Sequence, residues 1–109
     1  MPPFLENTMA KRQQTQTKTR TEVEVTFPSR YRIIFHNDDV TPMEFVVKLL
    51  VEVFNKGIDE AKEITLQVHH HGKAVAGIYS YEIAEQKMTE SVVIINYHNF
   101  PLKVTMEQL

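Results

Sequence analysis

The apolar positions of this chain fall into runs with two different periods, and those periods predict most of its elements. Tyr31-Arg32-Ile33-Ile34-Phe35 is a β-branched and aromatic run of the kind that fills a mostly buried strand. Asn37-Asp38-Asp39 stops it, because short polar side chains bond to nearby backbone and favour turns. Thr41-Pro42-Met43-Glu44 predicts a helix start, with Thr41 as the cap, Pro42 at the first helical position and Glu44 reaching back to complete a capping box. Met43, Val46, Val47, Leu50 and Phe54 then recur on one helical face, and Phe45, Leu49 and Val53 add a second apolar edge. Gly57 is expected to end this helix in a left-handed conformation.

A second helix is predicted from Asp59 to about His70 or His71, with Ala61, Ile64 and Val68 inside and Gly72 closing it. Lys73 to Tyr79 alternates weakly and reads as a strand. Ser80 can cap a third helix through Glu82, Ile83, Ala84, Met88 and Val92. Val92-Val93-Ile94-Ile95 has strand propensity, and only the preceding Ala-Glu-Gln-Lys-Met stretch argues that the helix continues through it. After Pro101, Leu102, Val104 and Met106 alternate with Lys103, Thr105 and Glu107 as a half-exposed last strand. The expectation is an α+β fold in the order β-α-α-β-α-β, a three-stranded antiparallel sheet packed with three helices.

Composition changes this picture at one end only. Residues 11–20 contain no apolar side chain that could offset the entropy of ordering, so residues 1–27 are expected to be a flexible, disordered N-terminal extension and 28–109 the folded core. Thr21 to Phe27 alternates well enough to form a strand on a partner. Hydrophobic content of 42% and charged content of 24% are ordinary for a globular domain. A formal charge of −2 gives no basic field for nucleic acid or anionic lipid. The six Phe and four Tyr are not interleaved with a basic patch, so they are expected in the core rather than stacked on bases. With no cysteine there is neither disulfide nor thiolate chemistry. The start of the chain lacks the pattern of a secretory signal, and no apolar run approaches the ~20 residues of a membrane span. A cytoplasmic, monomeric protein is expected.

Three kinds of chemistry can be weighed against these residues. Asp38, Asp39 and His69 could serve as general acid and base in a small enzyme, but no cysteine or serine nucleophile accompanies them. His69-His70-His71 suggests a metal, yet consecutive helical positions point about 100° apart and cannot converge on one ion. No cofactor, metal or catalytic residue is therefore assigned. The third possibility is a binding pocket at the strand-to-helix junction. Amide, carboxylate and imidazole could meet a primary ammonium there, beside an apolar face of Met43, Val46 and Val47.

The run Tyr31-Arg-Ile-Ile-Phe-His-Asn-Asp-Asp-Val-Thr-Pro-Met-Glu-Phe-Val46 closely resembles the signature of the bacterial ClpS adaptors. Val68-His69, Gly72-Lys73-Ala74, Glu82-x-Ala84-Glu85-x-Lys87 and Pro101-Leu102 also fall at that family's spacing, and the likeness covers residues 30 to 107. It implies an adaptor, not an enzyme. Such an adaptor binds proteins with a destabilising N-terminal Leu, Phe, Tyr or Trp and passes them to a Clp ATPase, of the ClpA or ClpC type, and its ClpP peptidase. The resemblance implies that Asn37, Asp38 and His69 hold the substrate's α-amino group. Asp39, Thr41, Met43, Val46, Thr65, Val68 and Leu102 would form the pocket for the first side chain. Glu82 and Lys87 would dock the ATPase N-terminal domain, and the extension would engage the ATPase during hand-over.

One position departs from the family. Thr65 stands where a methionine is usual, at what the resemblance makes the pocket rim, so tolerance of N-terminal Ile or Val is expected. Two other readings stay open from the residues: a small His/Asp-dependent enzyme, and an ATPase-binding module without an amine pocket.

Overall fold

A computed structural model describes residues 29–109. The expected extension, and the strand considered at 21–27, lie outside the described residues. The elements are β1 (Arg30–His36), α1 (Met43–Glu52), α2 (Ile58–His71), β2 (Lys73–Ser80), α3 (Tyr81–Tyr97) and β3 (Lys103–Gln108). This is the predicted order. The three strands form one antiparallel sheet with β1 in the centre, β2 on one side and β3 on the other.

Alternation along β1 explains how the sheet meets the helices. Ile33 and Phe35 are fully buried on the helical side, where Phe35 meets Phe54 edge-on with ring centroids 5.4 Å apart. Leu49, Leu50, Val53, Ala61, Ile64, Val68, Ala84 and Ile95 complete the core. α1 packs on α2, α2 on β2, and α3 touches all three strands. The other sheet face carries Arg32, Ile34 and His36 of β1, paired with Ile78, Val75 and Lys73 on one side and Glu107, Thr105 and Lys103 on the other. Ala76 is the extra residue of a bulge opposite Ile33 and Ile34, and it is fully buried.

Three local expectations are corrected. Thr41 does not cap α1: Pro42 occupies the cap position, and the Thr41 hydroxyl instead donates to the Asp38 carboxylate. The carboxylate is a strong acceptor within the same turn, and donating to it holds the hydroxyl there, while Pro42 at the cap has no side-chain oxygen to accept the free helix amides. Gly57 is not the left-handed end of α1. Asn55 takes that conformation, at φ 57°, and lets the Lys56 amide reach the Leu50 carbonyl at 3.1 Å. Gly57 is extended and precedes α2. Ser80 does occupy the cap position of α3, but its side chain makes no capping bond. The Val92–Ile95 run is helical: Ser91 and Ile95 face the core from α3, and that burial overrides β-propensity.

Candidate functional site

The sequence ends β1 with a tight polar turn, and the structure shows what holds that turn. One Asp38 carboxylate oxygen accepts the Val40 and Thr41 amides at 2.8 and 2.7 Å. The other accepts the Thr41 hydroxyl at 2.8 Å. Burial alone would raise the Asp38 carboxyl, but these bonds outweigh it and hold the group below the ordinary carboxylate range. Upstream, the Asn37 amide donates to the Gly72 carbonyl at 2.8 Å. Gly72 closes α2 at φ 87°, a conformation that favours glycine, and its own amide returns to Val68. That pair of bonds sets the end of β1 beside the last turn of α2, which carries His69.

A recess opens at this junction. It is lined by Asn37, Asp38, Thr41, Met43, Val46, Thr65, Val68, His69 and Leu102. Asn37 and His69 are exposed and Asp38 is half-buried, so polar groups lie toward solvent. Val46, Thr65, Val68 and Leu102 are buried and form the inner wall. The free space is about 20 Å³, roughly that of one water molecule. The arrangement offers hydrogen-bond acceptors at the mouth and hydrocarbon within, which suits an ammonium attached to an apolar side chain.

The structure thus gathers nearly all the pocket residues expected from the sequence. Asp39 is exposed and lies outside the lining. Thr65 is placed differently from the expectation. It is not at the rim but buried, 3% exposed, with its hydroxyl donating to the Ala61 carbonyl at 2.8 Å. The exposed apolar residue of the lining is Met43, at 40%. Gly72 is the contributor that sequence reasoning missed, since it was read only as a helix stop. Its signal was present: a glycine right after a helix that carries a site histidine fixes where the chain turns back.

Away from the recess, Glu82 is exposed in the first turn of α3. Lys87 is half-buried; its ammonium donates to the Val53 carbonyl at 2.6 Å and lies 5.9 Å from the Tyr79 ring centroid. It therefore neutralises the carbonyl end of α1 as well as facing α3's neighbours. Among the described residues no three His, Asp or Glu side chains gather to hold a metal ion, and no helix is long and apolar enough to cross a membrane.

Comparison with known proteins gives a consistent answer. Residues 26–105 match the family model described as "ATP-dependent Clp protease adaptor protein ClpS". An ATP-dependent Clp protease adapter protein ClpS from Parvibaculum lavamentivorans is 51% identical over 81 residues, 74% of either chain. The protein of that name from Caulobacter vibrioides is 39% identical and covers 98% of this chain and 97% of its own. Among solved structures, Agrobacterium tumefaciens ClpS2 bound to L-phenylalaninamide superposes with a TM-score of 0.73 at 34% identity, covering 76% of this chain and all of that one. On fold, motif and kinship alike, the chain belongs to the ClpS family of ATP-dependent Clp protease adaptors.

Proposed function

We propose that this adaptor captures polypeptides by a free, destabilising N-terminal residue and delivers them to a Clp ATPase and its ClpP peptidase. The observation that carries the reading is the meeting of amine acceptors and an apolar wall in one recess. An ammonium has three donors and no acceptor. The Asn37 amide oxygen, a His69 ring nitrogen and the Asp38 carboxylate, directly or through water, supply what it needs. Thr41, Met43, Val46, Thr65, Val68 and Leu102 then enclose the first side chain (Leu, Phe, Tyr or Trp), with Asp39 flanking the mouth. The ligand of the Agrobacterium relative, L-phenylalaninamide, supports this, because it pairs a free α-amine with an aromatic side chain.

Met43 is the wall residue most able to move, being unbranched and partly exposed. Thr65 adds a selectivity proposal: its short side chain leaves room for ligands branched at Cβ, so Ile and Val are tolerated better than by a methionine-bearing relative. A contact of this size is worth ~1–3 kcal/mol, which softens the preference without inverting it. Thr65→Met should weaken an Ile-initial peptide more than a Leu-initial one in anisotropy titrations; equal losses remove Thr65 from selectivity.

Delivery needs a second surface. We assign it to the first half of α3, where Glu82 meets the N-terminal domain of a ClpA- or ClpC-type ATPase and Lys87 braces α1 behind it, with residues 1–27 engaging the ATPase. A pull-down with that domain should lose the Glu82→Ala variant. The central test is simpler: a Leu-initial peptide should bind and its N-acetylated copy should not. Equal binding of the two would leave only an ATPase-binding module without an amine pocket.

A further inference from the structure

We propose that Thr41 is a positioning residue for the recess, acting through the Asp38 carboxylate by fixing the turn that presents Asn37. The inference rests on the amine-capture reading above. The turn is pinned at two places. Its start is held by the Asn37 amide on the Gly72 carbonyl. Its end is held by the Asp38 carboxylate, which gathers Val40 N, Thr41 N and the Thr41 hydroxyl. Between these pins the turn has little to hold it, for Asp39 is exposed and Val40 is 64% exposed. An ionised carboxylate offers about four lone-pair sites, so three of them are spent on the turn itself. Asp38 is thus chiefly a clasp, and the Thr41 hydroxyl is the one side-chain donor among the described residues that closes it. The two backbone donors bind the same oxygen, which among the described residues leaves the other oxygen held by Thr41 alone. Without that bond the carboxylate is held through one oxygen only, and the turn that aims Asn37 and the Asp38 edge at the recess mouth is less firmly set.

The experiment compares Thr41→Val, which matches threonine in shape but lacks the hydroxyl, with Thr41→Ser, which keeps it. Binding of a Phe-initial peptide is read by fluorescence anisotropy. Thr41→Val should bind about tenfold more weakly, the order expected for one charge-assisted hydrogen bond. Thr41→Ser should recover affinity to within about twofold. In an Asp38→Ala background, Thr41→Val should cost nothing further, because the path runs through the missing carboxylate. The same tenfold loss in that background would instead mean that the Thr41 hydroxyl bonds the ligand itself and would overturn the inference, as would wild-type affinity in Thr41→Val or no rescue by serine. Hydrogen exchange provides a readout independent of ligand. In Thr41→Val the Val40 and Thr41 amides should exchange faster while the Leu50 amide in α1 is unchanged; acceleration throughout would point to general destabilisation and count against a positioning role. A wild-type protein that ignores the peptide would defeat the amine-capture reading, whereas unchanged exchange at Val40 and Thr41 would defeat the clasp.

Discussion

At the scale of single residues, Gly72 has the largest influence for its size. Its φ of 87° places the carbonyl that receives Asn37, and a Cβ there would meet no atom within 4 Å. The cost of substitution is therefore conformational rather than steric. Gly72→Ala should lose ~1–2 kcal/mol of stability in urea titrations, the usual penalty for a left-handed non-glycine residue. The same variant should bind a Phe-initial peptide more weakly, because relaxing φ moves the Asn37 acceptor away from His69. Asn37, His69 and Leu102 were each visible in the sequence, but nothing local said that they meet. Periodicity places residues on faces of one element and is silent about which turns of different elements adjoin. The resemblance supplied that pairing, and even so it put Thr65 at the rim, where depth depends on side-chain direction rather than on spacing.

At the scale of elements, hydrophobic rhythm was a good guide and end signals were poor ones. The stripes of α1 and α2 and the alternation of β1 were legible because each buries a continuous face. The caps were not, because the path of the chain into and out of each helix decides which residue takes the end: Pro42 over Thr41, Asn55 over Gly57. α3 contains a different kind of exception. Ser91 is fully buried and its hydroxyl has no hydrogen-bond partner among the described residues. Ser91→Ala removes an unsatisfied group and improves helix propensity, so stability should rise by ~1 kcal/mol in denaturant titrations. The sheet holds a further element-scale feature. Lys73, His36 and Lys103 stand abreast across its three strands on the outer face, with a His36 ring nitrogen 2.8 Å from the Thr105 hydroxyl. Burial lowers the His36 imidazole below its ordinary value, Lys103 and Lys73 lower it further, and Glu107 opposes them. The folded chain then takes up this proton less readily than the unfolded chain. Its contribution to stability is fully present above the unfolded value of ~6.5 and is lost as pH falls through the lowered folded value. Denaturant midpoints measured from about pH 7.5 to about pH 5 should fall for the wild type and fall less for His36→Gln.

At the scale of the molecule, the fold class was legible because every element agreed with its neighbours, with one local conflict at Val92–Ile95 that tertiary burial resolved. Function was less legible, since a polar turn before a capped helix is common and becomes a recess only when α2 and Leu102 close around it. One main-chain bond, between Asn37 and Gly72, ties the turn to the end of α2 and joins segments far apart in sequence. Its consequence is thermodynamic. No stretch of the unfolded chain holds both halves of the site, so a ligand that needs both binds the native state alone and adds its binding free energy to folding. At a hundredfold excess over Kd this amounts to ~2.7 kcal/mol, which for a domain of this size raises Tm by roughly 10 °C or more. A Phe-initial peptide should produce that shift and its N-acetylated copy none, so the protein can report its own preferred N-termini by melting, without label or partner.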